Sequence, residues 1–477
     1  MFASIEMLAW SVLNILICPL LLAPLFAQDT LSILLERRRA DPTNPDLCQQ
    51  IGIAYTRLEN FAEAEKFYRE AVRLNPRFWA ARKNLGTVLW FLDRKEESER
   101  EFLAVTQVLP TDPVPHLYLG LAAYARHDFP QAKMQFEKAG ALAAENPEVL
   151  PAVLEAYLAT HDMSFPGKAM EQLTHAADQD ASLLAHVGAL FLQYGYFDRA
   201  ATLLETFAST HKASAEVFRT LAEAHDRQGK PEQAYRDYTR ATEIAPNSED
   251  GYIDFAEFAS AHGNADYALQ VVARGLGHVP ESPALLFEQG ILRALQGDRS
   301  QAENSFVQAS RLKPAWNLPL LGLGVSRLES GDATQAAVMF QKVCTADPRD
   351  SRAQYLYATA LSRESGAIPG ETRAAAIAAL RKAIEIDPRE ARSHTLLGQF
   401  YLQAGEADTA ALEWRTALKI DPENSIALYQ LGLLYRKQGK AAEADRLLQK
   451  FQRVKAKARA EEESLVQILR VTPGKQP

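Results

Sequence analysis

The sequence predicts an all-α solenoid of about twelve helix–turn–helix repeats, and three observations carry that prediction. First, prolines recur at a fixed interval: Pro42, Pro76 and Pro110 are 34 residues apart, as are Pro246, Pro280, Pro314 and Pro348, and again Pro388 and Pro422. Second, each interval holds two blocks of apolar residues at helical spacing, separated by polar or glycine-containing turns such as Gly229, Gly263, Gly297, Gly331, Gly405 and Gly439. Third, two positions of the interval are kept small. The eighth is Gly52, Gly86, Gly120, Gly188, Ala222, Ala256, Gly290, Gly324, Ala358, Gly398 or Gly432. The twentieth is Ala64, Ser98, Ala132, Ala200, Ala234, Ala268, Ala302, Ala336, Ala410 or Ala444. A glycine inside a helix costs about 1 kcal/mol relative to alanine. A position that accepts it this often predicts a close approach of two backbones, with Tyr68, Phe102, Phe136, Tyr238, Phe306, Phe340 and Trp414 filling the rest of the interface.

Length agrees with a repeat array. A chain of 477 residues is too long for one compact core, and an array escapes that limit because each repeat touches only its neighbours. With 47% hydrophobic and 23% charged residues the composition is that of a folded soluble protein. The net charge of −8 argues against non-specific binding to nucleic acid or anionic lipid.

Residues 1–27 are read as a secretory signal peptide cut after Ala27, on the apolar run Met7 to Phe26. The alternative is an uncleaved N-terminal membrane anchor, since about 20 apolar residues span a bilayer. Residues 28–44 form an N-terminal capping helix, with Leu31, Leu34 and Leu35 facing the first repeat. The solenoid covers 45–458, with repeats starting near 45, 79, 113, 147, 181, 215, 249, 283, 317, 351, 391 and 425. Repeat 4 departs from the frame: Leu154 stands at the small position, the turn around Met163–Lys168 is irregular, and Ala169 and Leu173 are displaced packing residues. Repeat 5 has Lys212 where proline is usual, and repeat 10 carries six extra turn residues within Ser365–Thr372. Residues 459–477 are the charged end of the last helix and a tail expected to be disordered from Thr472. Cys48 and Cys344 fall in distant repeats and are read as buried small residues rather than a disulfide pair.

The pattern resembles the tetratricopeptide repeat, whose 34-residue signature is W-x₂-L-G-x₂-Y, then A-x₃-F, then P. Repeat 11 has His394, Leu397, Gly398, Tyr401, Ala410, Trp414, Ala417 and Pro422 at the corresponding places. Repeat 1 has Cys48, Ile51, Gly52, Tyr55, Ala64, Tyr68, Ala71 and Pro76. The resemblance to exported bacterial members covers about 45–458. It implies a right-handed superhelix with a concave groove, lined by first-helix positions 2, 5, 6, 9, 12 and 13 of each repeat. Three zones of candidate binding residues follow. Repeats 2 and 3 offer an aromatic zone of Trp90, Phe91, Leu117, Tyr118, Leu121 and Tyr124. Repeats 6 to 8 offer an acidic zone of Glu216, Glu223, Asp226, Asp250, Asp254, Glu257 and Glu288. Repeats 10 to 12 offer a basic zone of Arg352, Arg363, Arg392, Arg436 and Lys437. For each the alternative is plain packing or a solvated face. No ninth position carries the asparagine of the family's carboxylate clamp, which argues against the co-chaperone role.

Signal, cap, repeats and tail use the whole chain, and leave no segment for a separate catalytic domain. Metalloprotease, hydrolase, P-loop and dinucleotide motifs are absent from the sequence, and the ten histidines are scattered. The expectation is a non-enzymatic scaffold of the cell envelope with a protein or peptide partner. Catalytic residues, metal, cofactor, nucleic acid and small-molecule substrate are not expected. Membrane contact is expected only through the N-terminal segment if it stays attached. The alternative is an atypical envelope enzyme, or its regulatory subunit, in polysaccharide export or glycan transfer.

Overall fold

The computed structural model describes residues 24–146, 148–164, 173, 175, 181–363 and 370–458, and helices are the sole regular structure among them. The chain divides into two compact bodies, Met1–Ala241 and Thr242–Pro477, with the division inside the helix Pro231–Ile244. The first body opens with the helix Pro24–Ala40, which runs through the residues flanking the expected cleavage point. The helix pairs Pro45–Arg57/Phe61–Leu74, Trp79–Phe91/Lys95–Thr106 and Pro113–Ala125/Phe129–Ala139 follow. Next come Leu150–Ala159, the pair Ala181–Gln193/Phe197–Thr210, and Ala215–Arg227 with the start of Pro231–Ile244. The second body holds Glu249–Ala261/Ala265–His278, Pro283–Leu295/Arg299–Leu312 and Leu318–Glu329/Ala333–Ala346. It continues with Ser351–Ser362/Gly370–Ile386, Ala391–Gln403/Ala407–Ile420 and Ser425–Lys437/Ala441–Ala458. Within each body a second helix packs on its own first helix and on the first helix of the next repeat. Among the described residues no helix is long and apolar enough to cross a membrane; most of the segment read as a signal, 1–23, lies outside them.

Local chemistry fixes where the helices begin. The side chains of Asn44, Asp112, Ser214, Ser282, Asp350 and Asn424 each accept from backbone N–H groups in the first turn of a first helix. Asn60, Asp128, Asn264, Asp298 and Asp332 do the same for second helices. These caps satisfy amide groups that have no partner within the helix. Pro45, Pro113 and Pro283 sit at the start, where their missing N–H costs nothing.

Among the described residues, the turn inside every repeat but the tenth has one residue in the left-handed region. It is glycine at Gly195, Gly229, Gly263, Gly297, Gly331, Gly405 and Gly439, with φ between +73° and +89°. In repeats 1 to 4 the same place is taken by Glu59, Asp93, His127 and His161, with φ of +57°, +58°, +57° and +54°.

The eighth-position glycines have a different cause from the one expected. A Cβ on Gly290 would stand 2.4 Å from the Phe306 ring, on Gly398 2.5 Å from Trp414, on Gly324 2.5 Å from Phe340, and on Gly52 2.6 Å from Tyr68. The close approach is therefore between a first-helix backbone and the aromatic face of the second helix of the same repeat, not between two backbones. Phe306 is held on both sides, since a Cβ on Gly322 of the next repeat would also come within 2.8 Å of it. The partner's size does not fix the choice: Ala256 and Ala358 face Val272 and Leu380, all four fully buried, whereas a Cβ on Gly188 or Gly432 would stand 2.9 Å from Leu204 or Leu448, and Ala222 shares its repeat with Tyr238. Ser98 at a twentieth position is tolerated because its hydroxyl donates to the Gly86 carbonyl at 2.7 Å.

At the N-terminus, Leu34 is buried against Ile51 and Ala54, with Leu31 and Leu35 beside it. The first helix of repeat 4 begins at Leu150, three residues later than the frame places it, after a break at Gly140 (φ +56°) and the single turn Ala141–Ala144. Leu154 and Leu173 are both buried in one cluster with Leu150 and Leu158. Ala169, residues 364–369 of the repeat 10 insertion, and the tail 459–477 lie outside the described residues.

Candidate functional site

The aromatic zone lies in the first body, and most of it is interior. Trp90 is 1% exposed and Tyr118 is fully buried, as are Leu117 and Leu121. The Trp90 ring meets Tyr118 edge-on at 5.4 Å, and Tyr118 stacks on Phe102 at 5.0 Å. Lys95 places its ammonium 4.1 Å from the Trp90 ring centre and donates to the Trp90 carbonyl at 2.8 Å. A ring with no exposed surface has nothing to offer a ligand, so Trp90 and Tyr118 are packing residues. Phe91 is half-buried and stacks on Phe61 at 5.1 Å. Tyr124, also half-buried, donates its hydroxyl to Glu155.

Glu155 stands at the ninth position of repeat 4, a groove position the three zones do not include. It is 5% exposed and also accepts from the Tyr194 hydroxyl at 3.1 Å. Burial first, then the neighbouring carboxylate, pushes the Tyr194 phenol up to about 12; the same causes carry Tyr124 above the usual phenol range. Both tyrosines therefore remain proton donors to a buried carboxylate, and the cluster is self-satisfied. The sequence signal for it was an isolated acid in the apolar run Leu150–Ala159.

The acidic residues divide between the bodies. In the first, Glu216 and Glu223 are exposed on Ala215–Arg227, Asp226 is half-buried, and Glu223 lies 3.6 Å from Arg227 one turn on. In the second, Asp250 and Glu257 are exposed on Glu249–Ala261 and Asp254 is half-buried. Glu288 is 4% exposed and belongs to the interior of its repeat, so it is not presented to solvent.

The basic residues all lie in the second body. Arg392, Arg363, Arg436 and Lys437 are exposed. Arg352 is half-buried and turned back on Asp350 at 3.4 Å, and Arg436 reaches Asp445 at 3.3 Å. Beside Arg436 the same helix exposes Ile426, Tyr429 and Leu433 by 51%, 41% and 39%. These occupy positions 2, 5 and 9 of the last repeat, groove positions that none of the three candidate zones includes. A cavity of about 510 Å³ by the last helix is lined by Arg446, Lys450 and Arg453 with Glu423, and touches none of the predicted residues.

Polar pairs also recur between the fourth and twenty-third positions: Arg82 with Glu101 at 2.7 Å, His116 Nδ1 with Gln135 at 2.7 Å, and His394 Nδ1 with Glu413 at 2.7 Å. They tie the two helices of a repeat together at the mouth of the core. Among the described residues no group of three or more His, Cys, Asp or Glu side chains is placed to hold a metal ion.

Family models of the helix-pair repeat match parts of the chain. Models described as tetratricopeptide repeats match residues 45–78, 215–248, 379–411 and 426–454, and one described as a TPR repeat matches 398–439. A curated relative, cellulose synthase 1 operon protein C of Komagataeibacter xylinus, is 28% identical over 178 residues, which cover 36% of this chain and 13% of that protein. Among solved structures, yeast Tom70 is 14% identical, with 90% of this chain and 99% of that chain covered at a TM-score of 0.42. A tetratricopeptide repeat protein from Parabacteroides merdae is 20% identical, with 54% and 99% covered and a TM-score of 0.42. YrrB, described as a TPR protein with an unusual peptide-binding site, is 19% identical, with 40% and 96% covered and a TM-score of 0.32.

Proposed function

We propose that this chain, a tetratricopeptide-repeat protein, is a non-enzymatic scaffold that holds a partner protein or peptide along the first helices of its repeats. The observation that carries this reading is that groove positions of first helices are spent on exposed carboxylates, Glu216 and Glu223 in one body and Asp250 and Glu257 in the other. Repeat interiors are filled by each repeat's own aromatic and small residues, so these side chains contribute nothing to the core. Acidic first-helix faces favour a basic partner, and long-range attraction raises its rate of encounter. The exposed residues Arg392 and Arg436 beside Ile426, Tyr429 and Leu433 favour a second contact that is apolar and acidic.

A photo-crosslinking side chain at position 223 or 257, set against controls at Leu103 and Leu312 on second helices, tests the reading in native extracts. Capture of one partner from 223 or 257 and not from the controls is expected. Capture from the controls alone would overturn it.

The envelope location is part of the proposal and rests on the apolar run at the N-terminus. N-terminal sequencing of the protein from its source decides it: Gln28 as first residue supports release, and Met1 supports an anchor. The partial likeness to the cellulose synthase operon protein favours, as a second reading, a partner within an exopolysaccharide machine. Capture of a polysaccharide synthase or export component in the same experiment separates that reading from a scaffold outside such a machine.

A further inference from the structure

In the first body, one buried histidine faces two carboxylates. His225, on Ala215–Arg227, is 3% exposed. Its Nδ1 lies 2.6 Å from Asp237 Oδ2, on the second helix of the same repeat. Its Nε2 lies 3.0 Å from Glu205 Oε1, on the second helix of the preceding repeat. A neutral imidazole has one N–H and one bare nitrogen, and an ionised carboxylate can only accept. With no extra proton, one of the two contacts would set a lone pair of the buried ring against a carboxylate, either the largely covered Asp237 or Glu205, whose side chain is 53% exposed, and that contact is repulsive.

His116 shows the contrast. It too uses both ring nitrogens, at 2.7 Å to Gln135 and 2.9 Å to the Pro110 carbonyl. There the glutamine can turn its NH₂ toward the ring, so a neutral imidazole satisfies both contacts. At His225 neither partner can donate unless it is itself protonated.

We propose that His225, Asp237 and Glu205 form a proton-operated clasp between repeats 5 and 6: closed while the three groups share one proton beyond a neutral ring and two carboxylates, and loosened when that proton leaves. The proton sits on the ring or is shared along the short Nδ1–Oδ2 bond. Burial holds the Asp237 carboxyl above the ordinary carboxylate range while contact with His225 pulls it down, so both locations fit.

The other charges bearing on Asp237 are Glu205 and Arg236. From the remaining packed elements, Asp198 is engaged by Gln228 at 2.9 Å and Ala181–Gln193 carries only the exposed His186. Arg227 on the histidine's own helix pairs with Glu223. The clasp matters for binding because Ala215–Arg227 also carries Glu216, Glu223 and Asp226. Loosening it alters how that acidic face is held against repeat 5.

The sign follows from proton linkage. A folded state that keeps a proton the open state releases loses stability as pH rises, by at most tenfold in the opening equilibrium per pH unit for one proton. Hydrogen–deuterium exchange of the full chain between pH 5.5 and 8 tests this, with intrinsic exchange rates divided out. Protection of 215–227 should fall by tenfold or more across that range, while protection of Pro283–Leu295 stays level. In His225→Gln the dependence on pH should vanish. Glu205→Gln, at a half-exposed carboxylate, keeps the fold and removes one acceptor, so a neutral ring suffices and the slope should flatten there too. Level protection of 215–227 in the wild type, protection that rises with pH, or an unchanged slope in Glu205→Gln would each overturn the clasp.

Discussion

Gly290 and Gly251 are both helical glycines, and their surroundings decide opposite outcomes for the same substitution. A methyl group on Gly290 would stand 2.4 Å from Phe306, whose other face is closed by Gly322. The ring has nowhere to retreat, so Gly290→Ala should lower stability by about 1–3 kcal/mol through overpacking. A methyl on Gly251 would meet Thr242 at an ordinary 3.7 Å. Gly251→Ala should therefore raise stability by up to about 1 kcal/mol through helix propensity. Thermal melting followed by circular dichroism reads both, and a destabilised Gly251→Ala would contradict the argument. Cys344 allows a chemical check at the same scale. Burial, with Asp350 adding to it, pushes its thiol up to about 12, against roughly 8.5 for a free cysteine. The thiolate is the reactive form, so alkylation at pH 8 should be slow in the native protein and fast in urea. Because the folded state keeps this proton longer, the thiol's contribution to stability is intact below the unfolded value and declines as pH rises above it. Rapid native labelling at pH 8 would show that the site is open.

Among the elements, the turn within the repeat shows how far local rules reach. Left-handed backbone costs an ordinary residue roughly 1–2 kcal/mol, and glycine avoids that. Seven repeats use glycine there and repeats 1 to 4 do not. Glu59 is exposed at φ +57°, so Glu59→Gly should stabilise repeat 1 by about 0.5–1 kcal/mol, part of the gain being lost to the greater freedom of glycine in the unfolded chain. Gly229→Ala is the reciprocal change and should destabilise. A fall in melting temperature for Glu59→Gly would contradict the reading. Sequence showed the glycine turns plainly because glycine is their signature. It could not show the first four, where a glutamate, an aspartate and two histidines take the same backbone shape and differ only in strain. Repeat 4 eluded the frame for a related reason. Gly140 breaks the preceding helix, and the phase of an apolar run does not register a three-residue shift in where a helix starts.

At the scale of the whole molecule, a tandem array should be divisible, because each repeat is stabilised by itself and its neighbours. A fragment spanning 249–458 contains six complete helix pairs and should fold alone, with helical circular dichroism and cooperative melting. An unfolded fragment would mean that stability is not locally held. The candidate site was less legible than the fold. Positional rules placed Trp90, Tyr118 and Glu288 on a binding face, yet all three are 4% exposed or less. Whether a given position faces solvent depends on the bulk of the neighbouring repeat, which no pattern within one repeat encodes.

The sequence by itself determined the period, the pairing of helices and which positions are kept small. These depend on residues close in the chain, on caps, prolines and a 34-residue spacing that repeats until it cannot be accidental. Tertiary structure alone decided that the eighth-position glycines answer to facing side chains, mostly rings, rather than to backbones, since only the packed pair shows what stands where a Cβ would go. It alone brought Glu205, His225 and Asp237 together from two repeats. A shared proton needs contacts of 2.6 and 3.0 Å, and distances of that kind are set by how two helix pairs lie on one another rather than by either one.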